Sequence, residues 1–169
     1  MSSLRLAGII RESITDGPGI RFTVFAQGCP HGCLQCHNPQ TWDFDGGTDV
    51  EVDKIAKKVM ENPMIKGVTF SGGEPFCQAE GFLELAKILK EKGIDIVIFT
   101  GYLYEELLES EDKNIHELLK EAWLVIDGPF DNDKKDLSLK FRGSSNQRII
   151  DSAASIKAGK IILANEYMV

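Results

Sequence analysis

The sequence predicts an α/β fold in which parallel strands are joined by crossover helices, arranged as an open, partial (β/α) barrel. Three observations lead there. Segments of strand composition alternate with segments of helical periodicity, the pattern of repeated β-α-β units. The two stretches richest in chemistry, Cys-Pro-His-Gly-Cys-Leu-Gln-Cys and Ser-Gly-Gly-Glu-Pro, each follow a strand directly, and ligands gather at strand C-terminal ends in such folds. The chain has 169 residues, whereas a complete eight-stranded barrel takes about 250. At 43% hydrophobic composition it carries enough apolar material for one core, and residues 1–169 are read as a single domain.

In order along the chain, residues 21–27 (RFTVFAQ) are β-branched and aromatic and stop at Gly28, which makes a buried strand feeding the cysteines. Val52, Ile55, Ala56 and Val59 fall at helical spacing within 50–61, and Asn62-Pro63 ends that pattern. Residues 67–70 form the next strand, and 81–92 an amphipathic helix closed by Gly93. A third strand covers 94–99, helical segments cover 104–110 and 115–121, and a fourth strand covers 123–126 before Asp127-Gly128-Pro129. Residues 131–136 are a charged connector, and 160–164 are expected to add one more strand. No internal repeat is visible.

Composition excludes several classes. A net charge of −7 and a pI near 5.0 do not suit a nucleic-acid clamp, which needs clustered Lys and Arg to neutralise phosphates. The longest apolar runs, such as 94–99, are strand-sized and fall short of the roughly 18 residues that span a bilayer. Met1-Ser2-Ser3-Leu4-Arg5 does not open a signal peptide, so the expected location is the cytoplasm. In that reducing compartment, three cysteines within eight residues indicate a metal or redox site in preference to a disulfide framework.

Cys29, Cys33 and Cys36 offer three thiolates from one tight loop. Four would close the coordination of zinc or of an electron-transfer cluster, whereas three on an iron–sulfur cluster leave one iron open to a non-protein ligand. Zinc with His31 or His37 as fourth ligand is the competing reading of the loop, although zinc sites commonly come as two separated ligand pairs. Cys77 lies in a different loop beside Pro75 and is expected to pack as a small buried residue, with a position near a helix start that would lower its pKa. In the turn after the next strand, Gly72-Gly73 leaves backbone groups open to a small zwitterionic ligand.

C-x3-C-x2-C after one strand, with Ser-Gly-Gly-Glu-Pro after the next, resembles the radical S-adenosylmethionine superfamily. Residues 16–21, Asp-Gly-Pro-Gly-Ile-Arg, are similar to its glycyl-radical-enzyme activases. Three further segments, Phe99-Thr-Gly-Tyr102, Val125-Ile-Asp-Gly128 and Arg142-Gly-Ser-Ser-Asn-Gln147, resemble the branch that serves anaerobic ribonucleoside-triphosphate reductase. The resemblance covers residues 16–150.

It implies that Cys29, Cys33 and Cys36 bind a 4Fe-4S cluster whose open iron is chelated by the methionine end of S-adenosyl-L-methionine. Ser71, Gly72, Gly73 and Glu74 would hold the methionine ammonium, with Gly73 as the nearest backbone contact. Family members often carry an aromatic residue before the third cysteine, where this chain has Gln35. The backbone of Gln35, Cys36 and His37 is expected to meet the adenine edge, with His37 stacking on it. Thr100 and Asp127, at strand C-termini on the same rim, are further candidates, although an Asp before Gly-Pro is equally a turn former.

The implied reaction is reductive cleavage to a 5′-deoxyadenosyl radical, which takes hydrogen from a glycine of a large glycyl radical enzyme. The implied partner is anaerobic ribonucleotide reductase, with flavodoxin or ferredoxin as electron donor. Pyruvate formate-lyase or another glycyl radical enzyme as partner, or a non-catalytic zinc-binding interaction domain, are the alternatives. The cofactor carries the reaction, and His116 and Lys134-Lys135 are read as solvated.

Overall fold

In the computed structural model, residues 2–33 and 39–168 are described. The central strands are β2 (Arg21–Ala26), β4 (Gly67–Gly72), β5 (Asp95–Phe99) and β6 (Leu124–Asp127). They pair in parallel, so their C-terminal ends form one rim. Helices α1 (Val52–Met60), α2 (Ala79–Glu91) and the pair α3 (Tyr104–Glu109) and α4 (Lys113–Glu121) make the crossovers, as alternation predicts.

The edges depart from the all-parallel expectation. An 11-residue strand β1 (Ser3–Ser13) pairs antiparallel with β2, and the short β3 (Thr48–Glu51) pairs antiparallel with the start of β1. At the other edge β7 (Arg148–Asp151) runs antiparallel to β6. The sheet order is β3-β1-β2-β4-β5-β6-β7, and its two outer strands are not paired with each other, so the barrel is open. The β1–β3 edge has a weak sequence signal, because β1 buries only Leu4, Leu6 and Ser13 and β3 buries nothing.

The tail also differs from expectation. Residues 160–164 contribute an isolated bridge from Leu163 to Ile150, and the regular elements are β7 and α5 (Ser152–Ala158). The signals for α5 are present: Asp151 caps the Ala154 amide, and Gly159 ends the helix in the left-handed conformation.

The helix-side face of the sheet buries Phe22, Val24, Val68, Phe70, Ile96, Ile98 and Val125 against Phe82, Leu85, Leu89 and Leu118. On the concave face, Val97, Leu124, Ile126 and Ile149 pack under Phe141, Tyr167 and Met168. No helix among the described residues is long and apolar enough to cross a membrane.

At the end of the barrel opposite the rim, Arg21 is 1% exposed. Its guanidinium crosses the row Arg21, Gly67 and Asp95, where any side chain at Gly67 would collide with it. It donates to the Thr69 hydroxyl at 2.8 Å, to the Pro18 and Val68 carbonyls at 3.0 Å, and to the Asp95 carboxylate at 2.5 Å. Thr69 passes the connection to the Asp16 carbonyl, while Thr23 and Ser13 donate to the Asp16 carboxylate. The Asp-Gly-Pro-Gly-Ile-Arg segment is thereby wrapped around its own arginine. Arg21→Ala leaves the buried Thr69 hydroxyl and Val68 carbonyl without their donor beside a half-exposed Asp95, and is expected to cost about 1–3 kcal/mol in urea denaturation; a loss below about 0.5 kcal/mol would contradict this account.

Candidate functional site

The cysteine loop leaves the end of β2 on an anchored base. Gln27 is buried and donates through its amide to the carbonyls of Gln40 and Asp43. The Gly28 and Cys29 amides donate to the carbonyls of Thr41 and Trp42 at 2.6 and 3.2 Å. Gly28 has φ +104, and the Phe44 ring fills the place of a side chain there. Cys29 and Cys33 are half-buried and carry thiols, not a disulfide. Cys36, Gln35 and His37 lie outside the described residues, so the expectations placed on them have no structural counterpart here.

Strand register brings the second motif to this loop, since Ala26 of β2 lies beside Gly72 of β4. The two glycines have a reason that sequence reading did not supply. A side chain on Gly72 would enter the backbone of Phe25 and Ala26, and one on Gly73 would enter the Gly28 carbonyl. The Gly73 amide donates to the Ala26 carbonyl, and the Glu74 amide to the Gly28 carbonyl, both at 2.8 Å. These amides are spent on the loop's own base. Ser71, Gly72 and Gly73 keep half-exposed positions on the rim, and a bound ammonium would need carbonyl acceptors, not amide donors.

Glu74 is fully buried. Its Oε1 accepts from His31 Nε2 at 2.6 Å and from the Gly101 amide at 2.8 Å; its Oε2 accepts from the Phe76 amide at 3.1 Å. The Thr100 hydroxyl lies 2.9 Å from both oxygens and accepts from the Tyr102 amide. Because the surrounding groups are donors, the carboxylate accepts and the His31 nitrogen carries the proton. The His31 ring rests where a side chain at Gly101 would stand, with Tyr102 against it edge-on at 4.5 Å between centroids. Burial, followed by the neighbouring Cys77 and Glu74, pushes the Tyr102 hydroxyl up to about 12. Thr100 and Glu74 therefore meet each other beneath the rim.

Asp127 is also fully buried. Arg148 donates to both its oxygens, and the Tyr104 amide donates to Oδ2 at 2.8 Å, so Asp127 joins β6, β7 and the start of α3. These partners lie 21 and 23 positions away along the chain, so the bonds are not those of a turn former before Gly-Pro. Arg148 also pairs with Glu105, holding that carboxyl below its ordinary value.

Gln147 frames the loop between β6 and β7. It accepts from the Gly143 and Ser144 amides and donates to the Gly128 carbonyl, while Arg142 donates to the carbonyls of Gln147 and Met168. This loop walls a cavity of about 370 Å³ on the concave side, whose lining includes Asp16, Phe25, Ser71, Phe99, Phe141 and Arg142.

Two side expectations are corrected. Cys77 is exposed, because its turn (Pro75–Gln78) buries Pro75 and Phe76 and turns Cys77 outward, 3.9 Å from the Tyr102 hydroxyl. Although the residue reaches the surface, its thiol is shielded enough that desolvation, then the Glu74 charge, raises its pKa. His116 is half-buried, with Nε2 held 2.6 Å from the Ser110 carbonyl.

The donor chemistry fits an iron–sulfur cluster. Thiolates are soft ligands suited to such clusters or to zinc; His31 bonds Glu74 through Nε2, which leaves Nδ1 and is also the pattern of a metal-bound histidine, so this bond does not separate the two. A family model described as a 4Fe-4S single cluster domain matches residues 15–150. The chain is 42% identical to the pyruvate formate-lyase-activating enzyme of Clostridium pasteurianum over 64% of this chain and 49% of that one. It is 39% identical to the pyruvate formate-lyase 1-activating enzyme of Escherichia coli K12 over 82% of this chain and 56% of that one. It is 34% identical to the anaerobic ribonucleoside-triphosphate reductase-activating protein of Haemophilus influenzae over 80% of this chain and 90% of that one. The chain thus spans about half the length of the pyruvate formate-lyase activating enzymes it matches.

Fold, thiolate loop and relatives together define a radical S-adenosylmethionine protein, and within that superfamily the chain belongs to the glycyl-radical-enzyme activases. Its cofactors are those of the family, a 4Fe-4S cluster and S-adenosylmethionine.

Gly73→Ala is expected to lower both the melting temperature and the iron bound after anaerobic reconstitution, since its methyl meets fixed backbone; Gly8→Ala, in open space, should change neither. In a Cys29/Cys33/Cys36→Ser variant, alkylation of the remaining Cys77 should titrate above the ordinary thiol value of about 8.5. Tyr102→Phe should move that midpoint higher still, because the lost hydrogen bond favours the thiolate.

Proposed function

We propose that this chain activates anaerobic ribonucleoside-triphosphate reductase by installing a glycyl radical on it. The observation that carries this reading is the junction of the loop bearing Cys29 and Cys33 with the glycine turn at adjacent strand ends, beside a cavity walled by the loop that holds Arg142 and Gln147. A cluster held by Cys29, Cys33 and Cys36 would supply one-electron reductive cleavage of S-adenosylmethionine, with methionine as the leaving group, the chemistry needed to take one hydrogen atom from a partner glycine.

The chain's own residues orient and enclose. Cys29, Cys33 and Cys36 hold three irons. Carbonyls of the turn at Ser71, Gly72 and Gly73 receive the methionine ammonium. Phe25, Phe99 and Phe141 give the cavity apolar walls that keep water from a reactive radical. Asp16, held by Ser13 and Thr23, lies at the cavity where a partner backbone would enter. The electron comes from an external one-electron donor of the flavodoxin or ferredoxin kind.

Alignment over 90% of the Haemophilus protein supports the reductase as partner, as do the segments at Phe99, Val125 and Arg142. The higher identity, 42%, to a pyruvate formate-lyase-activating enzyme favours that lyase as the second reading. Under anaerobic reduction with S-adenosylmethionine, 5′-deoxyadenosine should form, and a glycyl radical doublet should appear in electron paramagnetic resonance when the reductase is added. A doublet with pyruvate formate-lyase and none with the reductase would replace the first reading by the second.

A further inference from the structure

Glu74 lies in the turn expected to receive the methionine ammonium, yet its carboxylate is fully buried and surrounded by donors from its own chain. To reach a ligand on the rim it would have to abandon His31, Thr100 or the Gly101 amide. His31, for its part, stands between Cys29 and Cys33 in a stretch without regular secondary structure. Its ring is fixed on three sides: Glu74 at 2.6 Å, the bare Cα of Gly101, and the edge of Tyr102. The hydrogen bond to Glu74 ties the middle of the cysteine loop to the ends of β4 and β5.

We propose that Glu74 is a positioning residue for the iron–sulfur cluster, acting through His31 to hold Cys29 and Cys33 in place before iron arrives. Thr100 belongs to the same device: its hydroxyl donates to the carboxylate and accepts from the Tyr102 amide, so the residues that enclose the imidazole are set by the group that binds it. Gly101 is required because any side chain there would expel the ring. A loop of this kind otherwise loses conformational freedom at the moment of binding, which weakens metal affinity. The proposal rests on the cluster reading and is independent of which glycyl radical enzyme is the partner.

The test uses the whole chain, reconstituted anaerobically with iron and sulfide and then challenged with a chelator while cluster absorbance is followed. His31→Phe keeps the ring's shape and removes its hydrogen bond; it should lose the cluster roughly ten-fold faster than wild type, in the range for removing a partner of a metal ligand shell. His31→Gln, which retains an N–H near the Nε2 position, should restore much of the retention. Thr100→Val and Glu74→Gln should act in the same direction, and His31→Phe with Glu74→Gln should be no worse than the more affected single variant.

Affinity for S-adenosylmethionine per loaded cluster should be unchanged in His31→Phe. If Glu74→Gln does not fold, His31→Phe and Thr100→Val decide. Cluster retention equal to wild type in His31→Phe overturns the proposal, as does weakened S-adenosylmethionine binding in Glu74→Gln with full retention, which would return Glu74 to direct ligand contact. A wild-type chain that takes up no iron would overturn the cluster reading and this proposal together.

Discussion

A carboxylate removed from water must be surrounded by donors, and Glu74 draws its donors from three separate stretches of chain. One is the turn that follows β4, where Phe76 offers its amide. Another is the end of β5, where Thr100 and Gly101 contribute, and the third is the cysteine loop through His31. The three can converge only if β2, β4 and β5 end at the same level. Parallel pairing with Ala26 beside Gly72 supplies that level. The glycines on either side then follow from crowding: Gly72, Gly73 and Gly101 are the places where backbone or imidazole occupies the space of a side chain.

Two other buried charges hold the frame. Arg21 locks β2, β4 and β5 at the far end of the barrel, and Asp127 with Arg148 locks β6 to β7 and to the start of α3 at the near end. Each ion pair is supported by additional hydrogen bonds, the condition under which burying charge is tolerated. Arg21 also explains the first glycine of the turn before β2, since Gly17 at φ +134 passes against the arginine side chain. The rim is thus a braced edge of the sheet, and such bracing would suit the proposed delivery of a radical to one hydrogen.

Much of this was legible in the sequence. The four central strands and their crossover helices follow from periodicity, and the rim location of both motifs follows from their position after strands. The β1–β3 edge was not legible, because β1 alternates only around Leu4 and Leu6 and β3 exposes nearly everything. Asp151 and Gly159 were readable as the cap and stop of α5, but the tail's apolar residues drew the strand prediction to 160–164. Within the site, residue types were legible and their partners were not. A glutamate after Gly-Gly reads as a ligand contact, and only folding reveals that it turns inward to a histidine 43 positions away. Cys77 was misjudged because the buried members of its turn are its two predecessors.

The relatives divide over two partner enzymes, and both partner readings for this chain rest on the same proposed arrangement, three thiolates on a cluster with one iron left for S-adenosylmethionine. Mössbauer spectroscopy of protein reconstituted with isotopically enriched iron tests that arrangement most directly. One iron site should differ from the rest and shift when S-adenosylmethionine is added. Iron sites that are all equivalent and indifferent to S-adenosylmethionine, or tightly bound zinc in place of iron, would contradict it.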